Sequence, residues 1–285
     1  MIRIALALLA FLVAASVAQA QALDGRLKKI AETKTVNIAY RADAMPFSYT
    51  NDNKAIAGFT IDLCKRVVNS IGRQLNVQDL KINWVLVTVQ TRFDAVAKGQ
   101  ADMECGSSTV TLARMKQVDF SSYTFVESTG LLVKATSGVR SFADLAGKRI
   151  AVIAGTTNER AINAQLKRRQ LTATVVPVKS SDEALAALES GKADAFASDK
   201  LLLVGASEKS KDPRSFALLP ESLSFEPYGI ALPRGDAAMR LAVNTGLAQI
   251  YGSGEIAEIF DSWFAPFGPP SDVMQMVYIM GAIPE

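Results

Sequence analysis

The sequence predicts an α/β protein of two lobes joined by a two-strand hinge, and three observations carry that prediction. Short β-rich runs alternate with helical patterns along the chain, which favours sheets covered by helices over a bundle or a sandwich. One unit occurs twice with the same grammar. A helix, Lys98-Gly99-Gln100-Ala101-Asp102 and a strand lead into Gly106-Ser107-Ser108-Thr109; a helix, Ser190-Gly191-Lys192-Ala193-Asp194 and a strand lead into Ser198-Asp199. The length, 285 residues, suits one or two domains, and the duplication decides for two.

The elements follow in order. Residues 1–20 carry Arg3, the apolar run Ile4 to Val17 and the small-x-small close Ala18-Gln19-Ala20, the pattern of a cleaved export signal. The run is short for a span of roughly 20 apolar residues, and no Cys follows the cleavage point to take a lipid. Strands are expected at Thr35–Tyr40, Asn83–Val87, Ala101–Glu104, Arg149–Ile153, Thr174–Val178, Ala193–Ala197 and Tyr228–Leu232. A helix over Ile61–Leu75 repeats Leu63, Val67, Ile71 and Leu75 on one face, and Arg92–Lys98 forms another that Gly99 closes. Ser141 with Asp144 and Ser180 with Glu183 read as capping boxes; Asp236 opens Ala237–Ile250 and Ser253 opens Glu255–Phe264. The chain crosses between lobes near Glu127–Gly130 and again near Ser224–Pro227. Lobe 1 is then 21–127 with 228–285, and lobe 2 is 128–227.

Composition excludes several kinds of function. With 31 Lys plus Arg against 28 Asp plus Glu, the net charge of +3 is too mild for a nucleic-acid-binding face. The one basic run, Lys167-Arg168-Arg169, reads as the solvated last turn of a helix. The chain has no His, which removes the commonest zinc ligand, the usual general base and every Ser/His/Asp triad. No metal or cofactor is expected. Cys64 shares an apolar stripe with Val67, Val68 and Ile71, so Cys64 and Cys105 read first as two small core side chains; export also permits a bridge, which spacing alone does not place.

Ligands of open α/β sheets bind beyond the carboxyl ends of strands, so the polar residues there are the candidates. Gly106-Ser107-Ser108-Thr109 offers hydroxyls and backbone N–H groups to an anion, and Arg114 five residues on can grip a carboxylate with two parallel hydrogen bonds; capping beside an exposed Arg accounts for them equally well. Gly155-Thr156-Thr157 turns a strand into a helix, with Thr156 or Thr157 as its cap. Asp199 ends its strand as an acceptor for an ammonium group, as the N-cap of Lys200–Ala206, or as both. Arg41 and Arg92 each follow a strand and, taken singly, read as surface cations. Asn51-Asp52-Asn53 lacks the later ligands of a calcium loop and reads as a hairpin turn.

Taken together, these residues resemble the family 3 periplasmic solute-binding proteins of ABC transporters, the amino-acid-binding group. The resemblance runs from Val36 to Phe264 through Pro46-Phe47-Ser48-Tyr49, Gly58-Phe59-Thr60-Ile61-Asp62-Leu63, Lys98 to Asp102, Ser107 to Arg114, Asp119-Phe120-Ser121, Asp144 to Lys148, Gly155-Thr156-Thr157 and Tyr228-Gly229-Ile230. It implies the type II periplasmic binding protein fold, closing around an amino acid whose carboxylate meets Arg114, Ser107, Thr109 and Thr157 and whose ammonium meets Asp199. Glu104-Cys105-Gly106-Ser107 and Gln90-Thr91-Arg92 are most similar to the glutamate/aspartate branch, in which arginines matching Arg41 and Arg92 meet the side-chain carboxylate. Val89, without a hydroxyl, and Ser181, where a His is expected, depart from that branch and leave aspartate, glutamate and their amides open. The implied protein is a periplasmic monomer whose partners are an amino-acid ligand and an ABC permease, with no nucleic acid. A neutral or polar amino acid such as glutamine or asparagine is the alternative ligand. A cyclohexadienyl dehydratase on the same fold is the enzyme alternative, for which no additional acid or base is evident. Residues 269–285 lie outside the resemblance.

Overall fold

The computed structural model describes residues 24–284; the export signal expected at 1–20 lies outside them. The chain forms α1 (Gly25–Thr33), β1 (Thr35–Arg41), β2 (Asp43–Ala44), β3 (Ser48–Thr50), β4 (Ile56–Ala57), α2 (Phe59–Gln74), β5 (Lys81–Val87), α3 (Arg92–Ala97), β6 (Met103–Glu104), β7 (Val118–Glu127) and β8 (Thr129–Lys134). It continues through β9 (Arg149–Ile153), α4 (Thr157–Arg169), β10 (Thr174–Val178), α5 (Ser181–Glu189), β11 (Ala195–Asp199), α6 (Lys200–Ser207), β12 (Phe216–Leu218), β13 (Glu226–Pro233), α7 (Ala237–Gly252), α8 (Glu255–Phe264) and α9 (Asp272–Gly281).

Two five-stranded mixed sheets form two lobes. Their orders are β5-β1-β6-β13-β7 and β10-β9-β11-β8-β12. In each, one strand lies between two parallel neighbours, and an antiparallel pair extends the sheet beyond them. The chain leaves the first sheet at Ser128, between β7 and β8, and returns to it on β13. Glu127 pairs with Glu226 at that crossing.

The repeated motif has a structural cause that holds in both lobes. Gly99 and Gly191 adopt φ of +76° and +72°, which lets the chain reverse after α3 and α5. The next N–H groups then fold back: Ala101 donates to Ala95 at 3.0 Å and Ala193 to Ala187 at 2.9 Å. Each Asp locks the reversal onto the first strand of its unit. Asp102 accepts from the Asn37 N–H at 2.7 Å, and Asp194 from the Arg149 N–H at 2.8 Å.

An aromatic cluster of Phe47, Phe59, Phe125, Tyr228, Phe260 and Phe264 fills the first core. Burying each such ring contributes about 1.5–3 kcal/mol relative to exposure. The second lobe packs Phe142, Ile150, Val152 and Ile162 on one face of its sheet and Phe196, Leu188 and Leu203 on the other. Residues 269–285, unassigned by sequence, supply α9, whose Met274 and Tyr278 join the first core. The 51–53 segment turns between the antiparallel β3 and β4, as expected of a hairpin.

The structure corrects two readings. Strands β7 and β8, absent from the sequence-based list, run almost continuously through 118–134; β8 is buried nearly throughout and β7 mixes buried and exposed positions without a regular alternation. The cysteines are bonded to each other and are not merely packed: Cys64 and Cys105 form a disulfide with Cα atoms 6.4 Å apart, fastening α2 to the residue after β6.

Candidate functional site

Strand ends of both lobes meet in one enclosed pocket. Arg41, Arg92, Ser107, Thr109, Arg114, Thr157 and Asp199 all line it, so every residue singled out by sequence is brought together. Arg41 ends β1, Arg92 opens α3, and Ser107 and Thr109 lie in the loop after β6; Thr157 and Asp199 belong to the second lobe. The cavity between them is about 20 Å³, room for about one water.

The three arginines are held differently. Arg41 is buried and donates from Nε to Asp43 Oδ1 at 3.0 Å. Burial raises the Asp43 carboxyl, but Arg41 and the Ser181 N–H outweigh it and hold the group below its ordinary range. Ser181, at the position where a His was expected, therefore meets Asp43, through its N–H at 3.4 Å. Arg114 donates from Nη1 to the Thr109 carbonyl at 2.7 Å. Its guanidinium carbon sits 5.1 Å from the centre of the Phe93 ring, and that of Arg92 sits 4.8 Å from the same ring. Arg92 is buried, and its Nε has no partner among the described residues. Burial first, then the repulsion of Arg114, lower its pKa to about 9, with Glu104 the leading opposing charge. Unpaired donors of this kind suit an anion.

Opposite them lies a carboxylate. Thr156 caps α4 by accepting from the Glu159 N–H at 3.1 Å, which resolves the two cap alternatives and leaves Thr157 to face the cleft. The Asp199 side chain does not cap α6. Glu127 does that work from the end of β7, accepting from the Leu201 N–H at 3.0 Å. Freed, Asp199 accepts from Asn158 Nδ2 at 2.6 Å and from the Tyr228 hydroxyl. Burial, aided by the negative charge of Glu226, pushes the Asp199 pKa up to about 6 against the opposing hydrogen bonds.

Sequence reasoning missed several residues here. Asn158 orients Asp199 and also donates to Thr129 Oγ1 at 2.9 Å; its position one residue into α4 was the available signal. Glu226 accepts from Thr109 Oγ1 at 2.7 Å and from Ser224 Oγ at 2.7 Å, fixing the loop to the crossing strand. Leu202, also missed, gives the pocket apolar wall together with Val89, whose lack of a hydroxyl the sequence had marked, and Glu104 lies fully buried. No group of three or more potential metal-ligating residues occurs among the described residues.

Known proteins resemble this chain over most of its length. A protein of Pseudomonas aeruginosa described as an L-glutamate/L-aspartate-binding protein is 40% identical over 253 residues, covering 88% of this chain and 83% of its own. The glutamate/aspartate import solute-binding protein of Escherichia coli is 32% identical, covering 94% and 90%. Among solved structures, a mutant of ArgBP from T. maritima superposes with a TM-score of 0.74 at 26% identity, covering 85% of this chain and all of that one. The model of the bacterial extracellular solute-binding proteins, family 3, matches residues 36–266, and the chain belongs to that family.

Proposed function

We propose that this protein captures a dicarboxylic amino acid, glutamate or aspartate, between its lobes and delivers it to the membrane permease of an ABC importer. Membership of a solute-binding family makes it a transport component and not an enzyme. The observation that carries the choice of ligand is one pocket lined by three arginines, Arg41 and Arg92 buried and Arg114 half-buried, together with the carboxylate of Asp199. A second anionic end needs a second cation, because an unpaired buried carboxylate is strongly disfavoured.

In this reading Arg114, Ser107 and Thr109 hold the α-carboxylate, helped by Thr157, and Asp199 receives the α-ammonium. Arg92, with Arg41 behind it, meets the side-chain carboxylate. Residues 21–127 with 228–285 form the lobe that first receives the ligand, and 128–227 closes over it. The ligand drives closure only through the contacts it adds in the closed state. Charge-assisted bonds at both carboxylates support a Kd of about micromolar or below. The protein works in the periplasm as a monomer once residues 1–20 are removed.

One observation favours glutamine or asparagine as a second reading. Arg41 is already paired with Asp43, which leaves fewer free cations than the count suggests. Calorimetric titration with a panel of amino acids tests both. Saturable heat from glutamate or aspartate and none from lysine is expected; tighter binding of the amides would overturn the acidic assignment.

A further inference from the structure

Behind the pocket lies a carboxylate that capture of an amino acid leaves without a role. Glu104 ends β6 with no exposed surface, and neither of its oxygens has a hydrogen-bond partner among the described residues. The positive charges of Arg92 from α3, Arg41 from the end of β1 and Arg114 from the turn after the loop act on it from a distance, with the Ser108 hydroxyl beside it. Gly106 makes the placement possible, since a Cβ there would collide with Glu104 Oε1. The carboxylate is thus tucked directly under the loop that presents Ser107 and Thr109 to the cleft.

The charges pair off unevenly. Arg41 has Asp43, and Arg114 has the Thr109 carbonyl and lies in the field of Glu226. Among the described residues the Arg92 Nε has no hydrogen-bond partner, and Glu104 is the strongest negative influence on it; Arg92 is likewise the strongest positive influence on Glu104. Burial outweighs those cations and raises the Glu104 carboxyl above its ordinary value. Loss of a neighbouring cation's support shifts it further in the same direction.

We propose that Glu104 is a specificity-determining residue, the internal counter-ion of Arg92, which stands in for the ligand's second carboxylate and is neutralised by a proton from solvent when an acidic ligand takes that guanidinium over. The inference rests on the acidic-ligand reading above. A neutral amino acid leaves the Glu104 and Arg92 charges balanced, so the pocket tolerates it. An acidic one competes with Glu104 for the same cation. Glu104 thus moderates the preference for acidic over neutral ligands without touching either.

The test is calorimetry of the mature chain with glutamate and with glutamine, in buffers of differing ionisation enthalpy. Wild type should take up more protons with glutamate than with glutamine, a comparison that cancels the contribution of Asp199 because both ligands carry the same ammonium. Glu104→Gln should abolish that difference and raise the ratio of the glutamine Kd to the glutamate Kd about tenfold, the scale of a like charge removed from a partly shielded interior. Glu104→Asp, which keeps the charge, should leave the ratio within about threefold of wild type. Equal proton uptake in wild type, measurable even if the Gln variant does not fold, would overturn the proposal, as would an unchanged ratio in a folded variant. Absence of saturable heat from either ligand in wild type would instead overturn the reading of the pocket on which it rests.

Discussion

The hydroxyl oxygens of Thr109 and Thr157 face each other across the cleft at 3.3 Å, one carried by each lobe. Two further links cross the same gap: the Tyr228 hydroxyl donates to Asp199, and the Ser181 N–H to Asp43. With a cavity of about 20 Å³ left between them, the structure is a closed form that an amino acid enters only after the lobes part. Ligand contacts then replace some of these direct links, which is why single side chains in the pocket should have large and separable effects.

Arg114 and Arg92 share the Phe93 ring but serve different ends of the proposed ligand. Arg114→Ala should weaken every amino acid by more than about 100-fold, as expected when a buried charge-assisted bond loses its partner. Arg92→Ala should weaken glutamate by about 100-fold and glutamine by less than about threefold. Titration of both variants with both ligands checks this, and equal losses in the Arg92 variant would contradict its assignment.

Acidity should oppose binding through Asp199. Its pKa of about 6 in the empty protein arises from burial and from Glu226, and an ammonium ligand requires the ionised form. Affinity for glutamine, which leaves Glu104 as it is, should be level above about pH 7 and fall towards tenfold for each unit below 6. The stability of the empty protein moves the other way. Because the folded value lies above the unfolded one of about 3.9, the Asp199 contribution to stability is present at low pH and is lost as pH rises from about 4 to 6. Titrations with glutamine at pH 5, 6 and 8 should show the first effect, and Asp199→Asn should remove that pH dependence along with most of the affinity.

How far these features were legible in the sequence follows from how local their causes are. The Gly-x-Ala-Asp reversals were visible because each is closed within a few residues and a single strand, and so recurs as a string. The hydroxyls and Asp199 were visible because polar strand ends are chemically unlike the apolar runs before them, whereas Arg41 and Arg92, read singly as surface cations, entered only through the family resemblance. Strands β7 and β8 were not, since their burial lacks the alternation that marks a half-exposed strand. Neither was the division of labour between Glu127 and Asp199. The cap of α6 comes from a residue 74 positions away from Leu201, and no local pattern records it.

The disulfide should matter to the site as well as to stability. It fastens α2 to Cys105, next to Gly106, where the binding loop begins. Its ends are 41 residues apart, and the chain-entropy relation gives about 4 kcal/mol for closing such a loop. The Cys64→Ala, Cys105→Ala double variant should melt several degrees lower and bind glutamate more weakly, because the loop bearing Ser107 and Thr109 loses its anchor. Thermal melts with and without ligand separate the two effects. A variant that melts as wild type does would show the bridge to be dispensable.

Closure itself should depend on a residue that touches no ligand. Gly205 lies within α6, where an alanine would ordinarily stabilise a helix by up to about 1 kcal/mol. Here the helix surface abuts the backbone of Met45 in the other lobe, and a Cβ at Gly205 would collide with the Met45 carbonyl oxygen. A carbonyl in the backbone cannot swing aside as a flexible side chain does, so the collision is relieved by holding the lobes apart. Gly205→Ala should therefore leave the melting temperature of the empty protein near wild type or slightly above it, yet weaken glutamate and glutamine by the same factor, at least about tenfold. Small-angle scattering should show no compaction of the variant at ligand concentrations that saturate wild type. Unchanged affinity for both ligands would mean that the contact yields during closure and that Gly205 has no part in setting its energy.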